Sequence, residues 1–182
     1  MHHLPAGQRA AAQNQTVTHP SRPSGARFAP WLISAATFGA DQLTKRLVDH
    51  QFAPGESLPL LPSVLRLTYV QNRGAAFGIF QGQQLLFIGL ALGVIVWLGR
   101  ELAIRPSVSR AVRWGCALVL GGAVGNLVDR LRLGYVVDFI DLRVWPVFNV
   151  GDSAITIGVT LLIWHGLMTG KRHATSDRQH EK

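Results

Sequence analysis

Four of the chain's ten carboxylates, Asp129, Asp138, Asp141 and Asp152, fall between positions 129 and 152, with Asn126 just before them and Arg130 and Asn149 among them. Two carboxylates brought within a few ångströms of each other cannot both ionise comfortably, so they share a proton. The charged partner can then take a proton from an attacking water. The protonated partner can polarise a carbonyl and later protonate the leaving amine. Spacing alone leaves every pairing of the four acids open. An all-carboxylate magnesium or calcium site is a weaker alternative. A zinc or iron site is weaker still, because no histidine lies among these residues and His165 lies well beyond Asp152. The single cysteine, Cys116, sits in an apolar run and can form neither an intramolecular disulfide nor a cysteine cluster. It reads as a small packing residue.

These acids need elements to hold them, and the composition says what those elements are. Hydrophobic residues make up 48% of the 182 and charged residues only 15%, against about 25% charged in soluble domains. Four apolar segments stand out, at about 28–48, 83–99, 114–131 and 153–168. The uncharged core of each falls short of the ~20 residues of a typical transmembrane helix, so flanking residues must complete the spans. A soluble bundle would need polar outer faces, and the second and fourth segments have almost none. The expected fold is therefore an all-α membrane protein with four transmembrane helices. Eleven of the 18 Lys and Arg residues fall in the N-terminal tail, in the loop after the second segment and in the C-terminal tail. With four spans these regions share one side, which the positive-inside rule makes the cytoplasm. The net charge of +8 then reflects topology, and nucleic acid is not an expected partner. Residues 1–27 read as a disordered cytoplasmic tail, 28–169 as the membrane domain and 170–182 as a second cytoplasmic tail. Loops at about 49–82 and 132–152 face outward. Their β-prone stretches, 65–70 and 135–140, predict a small sheet on the outer membrane surface, since unpaired backbone cannot sit in lipid. The acids at the ends of the third and fourth segments meet at that outer rim. Ionisable residues at membrane depth are functional candidates. The alternative function for them is a small transporter or proton relay, which would need polar residues spread through the bilayer depth.

Five motifs occur in order: Asp41-Gln-Leu-Thr-Lys45, Asn72-Arg-Gly-Ala-Ala-Phe77, Gly121-Gly-Ala-Val-Gly-Asn126-Leu-Val-Asp129-Arg130, Val136-Val-Asp138-Phe139 and Phe148-Asn149-Val-Gly-Asp152. Together, across roughly 28–168, they resemble the lipoprotein signal peptidases, or signal peptidase II. The resemblance implies a membrane aspartyl endopeptidase of the bacterial inner membrane that needs no metal or other cofactor. Its partners would be the bilayer and a membrane-anchored prolipoprotein, cut just before a diacylglyceryl-modified cysteine, and the enzyme would be a monomer. By motif match the catalytic pair would be Asp138 and Asp152, and Asn72, Asn126, Asp129, Arg130 and Asn149 would line the substrate site, with Asp129 a reserve candidate for the pair. Asp41 and Lys45, four apart on one helix face, can neutralise each other or touch substrate. Gly121, Gly122 and Gly125 fit close helix contact. Asp141 with Arg143 reads as a solvated surface pair. One departure is Gly151, where the family commonly has alanine before the second acid.

Overall fold

The computed structural model describes residues 25–74, 83–105 and 109–180, with side chains from Phe28 to Thr169. The N-terminal tail through residue 24 and the Ala75–Phe77 part of the second motif lie outside the described residues. In chain order the elements are α1 (Gly25–Gln51), β1 (Ser57–Leu61), β2 (Leu65–Asn72), α2 (Gln84–Ile104), α3 (Arg110–Leu133), β3 (Val136–Asp141) and α4 (Val150–His180).

Every helix outruns its apolar segment, and this resolves the shortfall in length. Arg100 and Arg113 lie on α2 and α3 rather than in the intervening loop. Three helical stretches are long and apolar enough to cross a membrane: Gln84–Ile104, Arg110–Leu133 and Val150–Thr169, with mean hydropathies of 1.9, 1.4 and 1.3. α1 falls outside that group, consistent with Asp41, Lys45, Arg46 and Asp49 in its second half. α4 runs on to His180, so the backbone of residues 170–180 continues the helix.

α3 is the spine of the molecule and packs against α1, α2 and α4. Its N-terminus is capped by Ser109, whose Oγ accepts the Val112 N–H at 3.3 Å, and it ends at Gly134 with φ of 81°, the left-handed conformation that glycine adopts without strain. Between these caps, small residues let neighbouring backbones come close. A methyl on Gly121 would lie 2.6 Å from the Ser34 carbonyl oxygen, one on Gly122 would strike the Gly151 carbonyl, and one on Gly125 would strike the Asp41 carboxylate. At the other end Gly115 and Gly158 face each other, each within 3 Å of where the other's added carbon would meet backbone oxygen. Lipid tails are as apolar as leucine, so close van der Waals fit of this kind, not the hydrophobic effect, holds membrane helices together. Cys116 is buried with Leu98, Leu102, Val119 and Leu120 between α2 and α3, as a small packing residue should be. α2 buries little besides Leu98 and Leu102 and turns Leu90, Val96 and Trp97 outward.

The sheet has the order β1-β2-β3, antiparallel throughout. β2 and β3 cover the two β-prone stretches. β1 was not legible as a strand, since Ser-Leu-Pro-Leu-Leu carries a proline and lies wholly exposed, and proline is confined to such edges. Val48, Tyr69, Val137 and Phe139 form a second core beneath the sheet. The Tyr69 hydroxyl donates to Asp49 at 2.5 Å and ties the sheet to the end of α1. Burial and the Asp49 contact raise the Tyr69 pKa above its ordinary value.

Gly122→Ala should destabilise the protein by about 1–3 kcal/mol, the usual cost of overpacking. Gly93→Ala, where nothing lies within 4 Å, should be neutral or stabilise by up to about 1 kcal/mol. Thermal unfolding of the two variants in detergent checks both.

Candidate active site

The polar side chains gather where the sheet meets the C-terminal ends of α1 and α3 and the N-terminal end of α4. α3 contributes Asn126, Asp129 and Arg130, which its pitch sets on adjacent faces. β3 carries Asp138, paired in register with Val70 of β2, and Asn72 stands at the end of β2. The chain after β3 returns through Phe148, whose backbone pairs with Ile140, and so delivers Asn149 to the start of α4.

Asn149 and Asp152 form a reciprocal cap. The Asn149 Oδ1 accepts the Asp152 N–H at 2.8 Å, and the Asp152 carboxylate accepts the Asn149 N–H at 3.3 Å. This is the capping-box arrangement, N-cap to N3 and back, built from Asn and Asp. It aims the Asp152 side chain at the cluster. The Asn149 amide group is then free to donate to Asp138 at 2.7 Å and to Asn126 Oδ1 at 3.1 Å. One residue thus touches both Asp138 and Asp152. Asn72 donates to the second oxygen of Asp138 at 2.8 Å, and Asn126 donates to Asp152 at 2.8 Å. Asn72 also accepts the Gly74 N–H, so it both shapes a turn and reaches the acid.

The two acids sit in different surroundings. Asp138 is 1% exposed, whereas Asp152 is only half-buried. Burial first, and the charge of Asp152 second, push the Asp138 pKa up to about 7, against the pull of Asn72, Asn149 and Lys45.

Behind them lies a charged layer. Lys45 is 2% exposed, and its three ammonium protons have three partners: Asp41 at 2.8 Å, Asp129 at 2.9 Å and Asn126 Oδ1 at 2.7 Å. Asp41 in turn accepts the Gly151 N–H at 2.8 Å, and Asp129 accepts the Val137 N–H at 3.2 Å. Each of these acids therefore grips the backbone immediately before one of the candidate pair. Gln42 completes the layer by donating to Asp129 at 2.9 Å and to the Gly125 carbonyl at 3.2 Å. Gln42 was not singled out from sequence. Its only signal there was its place beside Asp41 within the first motif.

The other acids separate from this group. Asp129 points to Lys45 and Gln42 and not into the Asp138–Asp152 region. Asp141 lies outward, accepting from Thr68 and from the backbone N–H of Arg143. The expected Asp141–Arg143 side-chain pair is thus a tight turn, in which Arg143 takes a φ of 68°. Gly151 packs closely: an alanine there would bring its methyl to 3.0 Å from Asp41 and 3.1 Å from the Gly122 carbonyl. Glycine in this chain relieves that contact. The Arg130 guanidinium lies 5.2 Å from the Phe87 ring centroid. Among the described residues no three His, Cys, Asp or Glu side chains come together as a metal site. A cavity of about 400 Å³ opens beside Asp152 under Trp145 and Phe148.

The family model described as signal peptidase (SPase) II matches residues 33–168. Among curated relatives, the lipoprotein signal peptidase of Moorella thermoacetica is 45% identical over 137 residues, covering 75% of this chain and 91% of its own. That of Pelotomaculum thermopropionicum is 41% identical over 150 residues, covering 82% and 98%. A bacterial membrane enzyme solved by the in meso method at 2.3 Å resolution superposes with a TM-score of 0.75 at 31% identity, covering 79% of this chain and 90% of its own. With the family model spanning most of its length and its polar cluster assembled from the matching motifs, the chain belongs to the signal peptidase II family of aspartic-type membrane proteases.

Proposed function

We propose that this signal peptidase II cuts its prolipoprotein substrates with Asp138 and Asp152, just before a diacylglyceryl-modified cysteine. The observation that carries the assignment is Asn149, hydrogen-bonded through its side chain to Asp138 and through its backbone to Asp152. The dipole of α4 favours negative charge on Asp152, and the acid accepts N–H groups from Asn126 and Asn149. Asp152 is the general base: it takes a proton from water as the oxygen attacks the scissile carbonyl. Asp138, held protonated near neutrality, donates to the carbonyl oxygen in the tetrahedral intermediate. As the intermediate collapses, its hydroxyl returns the proton to Asp138 while the carbonyl re-forms, and the proton on Asp152 passes to the leaving amine as the C–N bond breaks. Asn72, Asn126, Arg130 and Asn149 position substrate and acids, and Asp129 acts from behind by holding β3.

The same reading covers topology. α1 is the fourth span: Asp41 and Lys45 are turned into α3 rather than lipid, at 0% and 2% exposed, while Arg46 and Asp49 are exposed nearer its C-terminal end. Both termini are cytoplasmic and the site faces outward at the bacterial inner membrane, as the distribution of basic residues requires. Residues 28–169 form one membrane domain, in keeping with the 33–168 family match, and the enzyme acts as a monomer. Trp145, on the rim of the cavity beside Asp152, is 59% exposed and suits an interfacial anchor.

Purified protein and a lipidated prolipoprotein test this directly. Asp138→Asn and Asp152→Asn should each lower kcat by about 10²–10⁴-fold, the usual weight of an acid–base residue; full cleavage by either folded variant removes that residue from the pair. Activity should also fall as pH rises through about 7, because the acid form of Asp138 is lost there. Folding follows the same sign. With its folded pKa raised, Asp138 favours the folded state most at low pH, and that contribution is lost between the unfolded value near 4 and about 7. Asp138→Asn should flatten this part of the stability profile. Lys45→Met should cost about 3 kcal/mol or more, since it leaves buried acids uncompensated, and should lower kcat far more than it raises KM.

A further inference from the structure

Strand β2 changes register against β3 part-way along its length. Arg66 and Leu67 stand opposite Asp141 and Ile140, whereas Val70, Gln71 and Asn72 stand opposite Asp138, Val137 and Val136. Between these runs β2 takes three steps where β3 takes two, so Thr68 and Tyr69 together face Phe139. That is a β-bulge, which re-aims the side chains beyond it. Opposed residues of an antiparallel pair share a face of the sheet, and a slip of one residue moves a side chain to the other face. Continuing the first register would set Asn72 opposite Tyr135, on the face of Val137 and away from Asp138. With the bulge, Asn72 shares the face of Asp138 and donates to it at 2.8 Å.

Contacts from three elements hold the bulge. On β3, Asp141 accepts from Thr68 Oγ1 at 2.9 Å, and on β1 the Ser57 hydroxyl lies 2.8 Å from the same atom. The Tyr69 N–H donates to the Glu56 carbonyl at 3.0 Å, and the Tyr69 carbonyl accepts the Gly55 N–H at 2.9 Å. The Tyr69 ring, 2% exposed, packs with Val48, Val137 and Phe139, on the opposite face of the sheet from Asp138. Its hydroxyl donates to Asp49 of α1 and accepts from Gln71 at 3.3 Å. Asp49 follows Lys45 by four residues and Asp41 by eight, so the three share one stripe of the helix. Asp41 holds the backbone ahead of Asp152, and Lys45 neutralises Asp129, which holds the backbone ahead of Asp138. Asp49 extends that stripe to β2.

We infer that Tyr69 and Asp49 are positioning residues of the peptidase: they pin the bulge that keeps Asn72 on the face of Asp138. The inference rests on the assignment of Asp138 as the acid of the pair. Tyr69 acts only through the strand, since the sheet separates it from the acid.

The test follows kcat against pH for purified full-length enzyme cutting a lipidated prolipoprotein. Tyr69→Phe keeps the buried ring, and Asp49→Ala changes an exposed residue, so neither endangers folding much. The Asn72 N–H favours the ionised form of Asp138, and its displacement lets Asp138 hold its proton to higher pH. Each variant should lower kcat about fivefold, the weight of one hydrogen bond, and change KM by less than about twofold. Each should also move the alkaline fall in activity up by about half a pH unit. Asp152 and Asn149 of α4, Lys45 of α1 and Arg130 of α3 also act on Asp138 and are untouched in both variants. Loss of the Asp49 charge alone would ease ionisation of Asp138 and move the fall to lower pH, so an upward shift reports the lost contact. Asn72→Ala should shift the fall in the same direction, and Tyr69→Phe added to it should shift it no further. If both single variants keep the wild-type fall, or if the shifts of Tyr69→Phe and Asn72→Ala add, Tyr69 does not act through Asn72 and the inference is overturned. If Asp138→Asn cleaves as well as wild type, the catalytic pair itself is wrong and the inference falls with it, by a separate measurement.

Discussion

The ammonium group of Lys45 is the contact on which the rest of this site depends. It is buried, and a buried charge is tolerated only when paired and fully hydrogen-bonded. Its three protons go to Asp41, Asp129 and Asn126, so no donor is left over. The two acids it neutralises reach onward to the backbone N–H groups of Gly151 and Val137. The helix that bears Asp152 and the strand that bears Asp138 are thereby fastened to the same lysine. Asn126, the third partner, has its oxygen committed to Lys45 and Asn149, which turns its N–H towards Asp152. One cation therefore sets two backbone positions and one amide orientation.

Such a layer can exist only where helices touch closely. Gly122 and Gly125 of α3 admit the Gly151 carbonyl and the Asp41 carboxylate into space that any side chain would fill. The glycine stripe and the ionic layer are thus two aspects of one constraint. Without side chains on α3, α1 and α4 approach near enough for Asp41 to bond across to Gly151. Glycine contacts serve both ends of α3: at one they admit the polar layer, and at the other, where Gly115 meets Gly158, they serve packing alone.

The candidate acids differ because their elements differ. Asp138 stands on a covered strand, surrounded by Val137, Phe139 and the end of α1, and burial dominates its titration. Asp152 stands in the first turn of a helix, half-open to a cavity, within a reciprocal cap. A shared Asn149 between unlike environments gives the asymmetry that acid–base work requires. A transporter or relay would need polar groups continuing through the bilayer depth, and the cavity between α2, α3 and α4 below Asn126 is apolar instead.

Much of this was legible in the sequence alone. Long runs without charge dictated helices in lipid, and three of them have spanning length and composition. A partly alternating stretch marked β2, a β-prone composition marked β3, and the ordered motifs marked the family. The sequence also brought Asn72, Asn126, Asp138, Asn149 and Asp152 to one end of the molecule, because apolar segments fix which loops share a side. It could not choose among the four clustered acids by spacing, nor assign Asp41 and Lys45. Those outcomes depend on which helix faces touch. A contact such as Lys45 to Asn126, 81 positions apart, is decided by where glycines let backbones meet, and pairing across such a distance leaves no period in the chain. Strand β1 was hidden for a related reason: an exposed, proline-bearing edge is held by its neighbour's backbone, not by its own side chains.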